Sequence, residues 1–358
     1  MRADTWEAGR VIIAPPSPKI LPVNVGDATE IGEQISTRPL ADGIMVLVWA
    51  LLALAAGRLQ FGYSSDYVEY LLYYESIPYT LSFMDTRFEP GFHLLAWVYR
   101  NWLGVSLGVL ISSMAAFSLA VKFLLFRKYL SHPLLAVLIY VVLFYPIHEY
   151  TQYRAAVSLS MGYWAIHLLL TRRYAWAGLL FVLAFCFHYS SILLALVGIG
   201  GLVFRDRRIV PILLGVLLAS ATVLERFRFL LQDMLGALNP LSAAYLDNTT
   251  KIEGVSLLSF NNLLLIAALG CYFVAGYQSR SRYHGLFLTL TLASLLPIAL
   301  LPEAPVIAQR SKEVLFLAVI FLACRSRLGW RDLPGFGFVV LLTALLGYLW
   351  VAGGIIFT

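Results

Sequence analysis

From about residue 40 onward, long apolar runs alternate with short polar or basic stretches. Runs such as Leu134–Tyr145, Val255–Tyr277 and Phe336–Ile356 are long enough, alone or slightly extended, to cross a bilayer as helices. Spans are expected near 41–59, 105–126, 133–147, 154–170, 174–187, 189–204, 209–224, 257–277, 285–301, 306–323 and 335–356. Residues 174–204 also read as one broken helix. The fold class that follows is an all-α polytopic membrane protein with about eleven transmembrane helices. These form a single membrane domain, residues 40–358. Residues 1–39 are polar, and Ala14-Pro-Pro-Ser-Pro18 interrupts any helix, so a flexible cytoplasmic tail is expected there. The tail has no apolar stretch followed by a small-residue cleavage site, which excludes a signal peptide within it.

Between the first two spans lies an aromatic and acidic segment, Gln60–Gly104. Its more apolar end, Gly91–Leu103, is short for a crossing and contains Arg100 and Asn101. The basic clusters decide how it lies. With 91–103 on the membrane surface, Arg127-Lys128, Arg172-Arg173, Arg205/Arg207/Arg208, Arg280/Arg282 and Arg325/Arg327/Arg331 all fall on one side. Basic residues accumulate on the cytoplasmic side, so the amino terminus is expected inside. The loops 60–104 and 225–256 are then periplasmic, and both carry interfacial helices. Residues Arg226 to Leu235 show the i, i+3, i+4 apolar spacing of such a helix.

Composition supports this picture and removes alternatives. The chain is 60% hydrophobic and 13% charged, about half the charge of a soluble domain. The net charge of +6 is scattered between apolar runs rather than gathered on one face, which excludes a nucleic-acid partner. Cys186, Cys271 and Cys324 sit within or at the end of apolar runs, with no metal-ligand spacing, so neither a disulfide framework nor a metal site is expected. Glycine patterns for nucleotide phosphates are also absent, and no cofactor is expected.

The candidate chemistry centres on Phe144–Ala156, FYPIHEYTQYRAA, which gathers His148, Glu149, Gln152, Tyr153 and Arg154 where a span begins. An arginine at mid-bilayer costs roughly 2.5–3.5 kcal/mol, falling toward the surface. It snorkels, or it binds an anion with its planar fork of donors. Asp66, with Tyr67 and Tyr70, is placed to hold a sugar or act as a base, or to cap a helix. Glu89 precedes Pro90 and His93 follows, so Glu89 lies at the positive end of a helix beginning at Pro90. His188, with Ser190, falls about 14 residues above the basic turn at 172–173, only ~21 Å of helix. That places it at a break below the outer surface, where polar groups line a cavity. Arg310 lies just inside the span after Pro302–Pro305 and is either a second phosphate ligand or a surface anchor.

The order of these motifs resembles the EpsG-type branch of the Wzy-like polysaccharide (O-antigen, exopolysaccharide) polymerases. The motifs are Asp66-Tyr-Val-Glu-Tyr70, Glu89-Pro-Gly-Phe92, Gln152-Tyr-Arg154, the basic turn Arg172-Arg173, and Phe187-His188-Tyr-Ser190. The likeness is densest over residues 40–205. In the family Arg and Gln are often adjacent, whereas here Gln152 precedes Arg154 by two.

The resemblance implies a glycosyltransferase-C-like protein of the bacterial inner membrane with a periplasmic site. It would join oligosaccharide repeat units linked to undecaprenyl diphosphate, within membrane lipid and beside a chain-length-regulating co-polymerase. Asp66, Glu89, His188 and Arg154 are the implied catalytic residues. Arg310, Gln152, Tyr67, Tyr70, His93 and Ser190, with Arg154, are the implied substrate contacts. Two other functions compete: a flippase or exporter of a lipid-linked glycan, and a membrane acyltransferase modifying a polysaccharide. Many transporter folds show related halves, and none is apparent here. An acyltransferase would draw its donor from the cytoplasm, whereas His188 is expected outward.

Overall fold

The computed structural model describes residues 26–58, 65–83, 88–203, 282–301 and 305–324, all of whose regular elements are helical. The spans expected at 209–224, 257–277 and 335–356, and the surface helix near 226–235, lie outside the described residues. So do Arg87 and Glu303. The chain divides into two units, Met1–Ile44 and Met45–Thr358. Helix α1, Gly26–Arg58, begins inside the stretch expected to be a tail and runs through Pro39.

Helix α2 (Ser65–Ser76) and helix α3 (Pro90–Trp97) form the expected aromatic segment. A π-helical turn, Val98–Trp102, extends α3 before Gly104 turns the chain at φ +63°. Helix α4 (Leu107–Tyr129) follows. Two stretches, Pro39–Arg58 and α4, are long and apolar enough among the described residues to cross a membrane by length and composition.

The span expected at 133–147 is interrupted. Helix α5 (Pro133–Leu143) stops at Phe144, and a short helix α6 (Tyr145–His148) restarts with Pro146 in its first turn. Proline has no N–H to give the preceding turn, so the break falls where the sequence puts it. Helices α7 (Tyr153–Leu170), α8 (Tyr174–Phe187) and α9 (Ser191–Val203) match their expected ranges closely. The basic turn between α7 and α8 is closed by two backbone bonds, Arg172 N to Leu169 O (3.0 Å) and Arg173 N to Leu168 O (2.8 Å). Arg172 sits there in the left-handed region, at φ 64°. The two other described spans are also segmented: α10 (Arg282–Ala293) and α11 (Leu296–Leu300), then α12 (Pro305–Phe316) and α13 (Ala318–Ala323).

Helix α7 is the central element, packed along α4 and α8 and touching α9. It buries Tyr163, which stacks on Phe321 of α13 at 6.0 Å; Phe321 stacks in turn on Phe287 of α10 at 4.3 Å. Two close approaches need glycine. A Cβ at Gly57 would lie 2.2 Å from the Gly108 carbonyl, where α1 meets α4. A Cβ at Gly91 would lie 2.8 Å from the Cys186 carbonyl and 2.9 Å from the Phe187 ring, so glycine lets the start of α3 rest on the end of α8.

Gly91→Ala must therefore push α3 away from α8. Overpacking of this kind costs about 1–3 kcal/mol, and a fall in the melting temperature of the detergent-solubilised protein is expected; an unchanged melt would show that the contact yields freely.

Candidate functional site

The start of α7 is set by local bonds. Thr151 Oγ1 donates to the Ile147 carbonyl (2.6 Å), as does the Gln152 amide (2.9 Å), so the chain turns sharply before Tyr153. That turn projects Arg154 into a cage formed by α2 and α3. Its guanidinium carbon lies 4.5 Å from the Phe88 ring centroid, 5.4 Å from Tyr70 and 5.9 Å from Phe92. Arg154 Nε donates to the Tyr70 hydroxyl at 2.8 Å. Its Nη1 donates to Glu89 Oε2 in an ion pair. The side chains are 15% exposed for Arg154 and 7% for Glu89, so little water screens this pair. The aromatic faces add cation–π attraction.

Glu89 has a second partner. His188 Nδ1 lies 3.1 Å from Glu89 Oε1. Glu89 occupies the position just before α3, yet its side chain makes no capping bond to that helix. The carboxylate is committed instead to an arginine from α7 and a histidine from the α8–α9 break. His188 is held from the other side by α7, where Ser158 Oγ donates to the Ala184 carbonyl at 2.7 Å and lies 3.5 Å from the His188 carbonyl.

Asp66 is likewise drawn into a pair, with Arg310 Nη2 at 3.6 Å from its Oδ2. Residues Asp66 and Tyr70 are four apart on α2 and share a face, so the Asp66–Arg310 and Tyr70–Arg154 contacts are neighbours. Gln152 donates through Nε2 to Glu313 Oε2 (3.2 Å), and Gln309 donates to Glu313 Oε1 (3.2 Å). On α12, Gln309, Arg310 and Glu313 are spaced to lie on one side of the helix. Helices α2, α3, α7, α8 and α12 thus converge their polar groups on the start of α7.

The other expected residues are adjacent rather than central. Tyr67 packs against the cluster holding Tyr70 and Phe92. His93 faces Tyr73, whose hydroxyl bonds to His93 Nδ1. Burial pushes the Tyr73 phenol up to about 12, only partly opposed by Arg154, so it stays protonated and donates. Burial lowers the His93 pKa below its ordinary value, so the imidazole is neutral and accepts. Among the described residues, the Ser190 hydroxyl is buried without a bonding partner. Among the described residues no cluster of three or more His, Cys, Asp or Glu side chains is placed to hold a metal ion.

Three groups escaped the sequence analysis as site members. Tyr73 and Phe88 are simply aromatic in an aromatic segment, with nothing in the sequence to single them out. Glu313 gave a usable signal, because a carboxylate inside an apolar span has to find a partner.

A family model described as the EpsG family matches residues 44–355. No curated protein and no solved structure matches the chain.

A double-mutant cycle of Glu89→Gln with Arg154→Gln is expected to give a coupling of about 0.5–3 kcal/mol in thermal unfolding; additivity would mean the two do not depend on each other. For His93 the folded pKa lies below the unfolded value of about 6.5. The folded state then binds fewer protons, so its contribution is complete above that pH and is lost as pH falls through the lowered value. Wild-type melting should drop more steeply than that of His93→Gln as the pH is lowered from 7.5 toward 5.5 (about two units, spanning the ordinary histidine range), and parallel curves would refute this assignment.

Proposed function

The chain belongs to the EpsG family of polysaccharide polymerases, and from that premise we propose that it transfers a glycan from undecaprenyl diphosphate to a sugar hydroxyl of another lipid-linked repeat unit. We place the reaction on the periplasmic face of the bacterial inner membrane, as the distribution of basic clusters favours. The observation that carries this proposal is the bridge formed by Glu89 between Arg154 and His188.

In the proposed reaction the acceptor hydroxyl oxygen attacks the anomeric carbon of the donor glycan. The bond from that carbon to the diphosphate oxygen breaks, and undecaprenyl diphosphate leaves with the electron pair. Negative charge grows on the leaving oxygen, and a fixed guanidinium in a dry site stabilises it without reorganisation. Arg154 fills this role, with Arg310 as a second cation. Tyr70 and the rings around Arg154 keep the fork in place between turnovers.

The hydroxyl proton needs an acceptor. With Glu89 ionised beside Arg154, the Nδ1–H of His188 donates to Oε1, which leaves the Nε2 lone pair to take the proton. Glu89 then orients and polarises the base rather than acting as the base itself. Asp66 shares the acceptor side through its pairing with Arg310. Gln152 steadies the start of α7 through Glu313, and Tyr67 offers a ring for sugar stacking.

Purified protein supplied with undecaprenyl-diphosphate-linked repeat units, without nucleotide sugar or ATP, is expected to build longer glycans. Arg154→Ala should slow elongation about 100- to 1,000-fold, as for loss of one preorganised donor to a developing anion. Elongation at the wild-type rate in Arg154→Ala would remove that residue from the reaction, and no elongation by the wild type would remove the function.

A further inference from the structure

Near the start of α7 lies a second charged cluster that the proposed reaction does not use. Lys122, in the middle of α4, and Glu149, at the turn between α6 and α7, form an ion pair at 2.6 Å. Both residues are fully buried. Lys122 Nζ also donates to Ser118 Oγ (2.7 Å) and to the Tyr140 hydroxyl (2.8 Å). Tyr140 in turn donates to Glu149 Oε2. Ser118 Oγ lies 2.7 Å from Glu149 Oε1 and 2.9 Å from both the Ala156 carbonyl and Ser160 Oγ. The cluster therefore ties α4, α5 and α7 to one carboxylate.

Stability alone does not account for it. Burying two charges is expensive, and apolar replacements of similar volume are often neutral or stabilising. What the cluster specifies is position. Glu149 precedes Gln152 by three residues and Arg154 by five, and the Ala156 carbonyl lies two residues beyond Arg154. The segment that turns from α6 into α7 is thus gripped on both sides of Arg154.

We propose that the Lys122–Glu149–Tyr140 cluster is a positioning device for the polymerase site, fixing the α6–α7 turn so that Arg154 meets the diphosphate; this rests on the function proposed above. The three residues act through Arg154 and do not touch the substrate. An error of about 1 Å in such a group costs roughly 100-fold in rate, whereas a purely structural pair replaced by a neutral pair would cost nothing once the protein folds.

The test compares wild type, Lys122→Met/Glu149→Gln and Tyr140→Phe. Three measurements are made on the detergent-solubilised full chain: melting temperature, elongation rate at saturating lipid-linked repeat units, and amide hydrogen exchange over residues 149–156. The double variant is expected to melt near wild type, to elongate about 100-fold more slowly, and to exchange faster over 149–156 than elsewhere. Tyr140→Phe keeps both charges and decides the matter if the double variant fails to fold. The Tyr140 hydroxyl bonds both charges, accepting from Lys122 and donating to Glu149, so the variant should melt below wild type while remaining folded, and it should elongate about tenfold more slowly. Wild-type rate and wild-type exchange in a folded variant would overturn the proposal. If the wild type itself does not elongate, the proposed function falls, and exchange over 149–156 still judges the positioning role.

Discussion

A guanidinium that is 15% exposed needs its charge met nearby, and the arrangement of this protein around Arg154 follows from that need. Water cannot solvate the group, so a carboxylate, a phenol and three aromatic faces do so instead. Each comes with a structural demand. For Glu89 to reach both Arg154 and His188, α3 has to rest against the end of α8, and Gly91 is the residue that permits the contact. Tyr70 can accept from Nε because α2 packs into the same aromatic cluster, its ring stacked on Phe88 at 5.3 Å. Removing the arginine would leave Glu89 buried beside a neutral histidine, so cation, acid and imidazole form one unit.

The same logic recurs at smaller scale around the start of α7. Asp66 pairs with Arg310, and Glu313 takes hydrogen bonds from Gln152 and Gln309. Every one of these polar groups has its partner before any substrate arrives. A site built in this way holds its dipoles in place through turnover, and in a region of low dielectric they act strongly on charge that develops during reaction. The exposed halves of the network, Asp66 and Arg310, are 39% and 27% accessible, whereas Glu89 is 7% accessible. Exposure thus falls from the Asp66–Arg310 pair to the carboxylate proposed to orient the base.

Much of the site was legible in the sequence because polar residues in an apolar chain are conspicuous. Asp66, Glu89, Arg154, His188 and Arg310 stand out for their cost in such surroundings, and they prove to be paired with one another. For Asp66 and Glu89 the contacts bear only on the capping alternative. Neither carboxylate is spent on capping alone, since Asp66 reaches Arg310 and Glu89 makes no capping bond. Lys122 escaped notice because a single cation in a long apolar run still leaves the run long enough to cross. Its partner Glu149 was visible but had no assignable neighbour, being 27 residues away along the chain.

The sequence by itself determined the helical class and the ranges of α4 and α7 to α9; the breaks near Pro146 and Pro297 fell inside spans expected to be continuous, although proline accounts for them. Class and ranges depend on local quantities: apolar run length and helical period. The pairing of charges was decided by tertiary structure alone. Glu89 and Arg154 are 65 residues apart, and Glu89 and His188 are 99 apart. Which acid meets which base depends on how the helices pack, and packing turns on small features such as the absent side chain of Gly91. A sequence records that a buried charge needs a partner, but the choice among partners is made by shape.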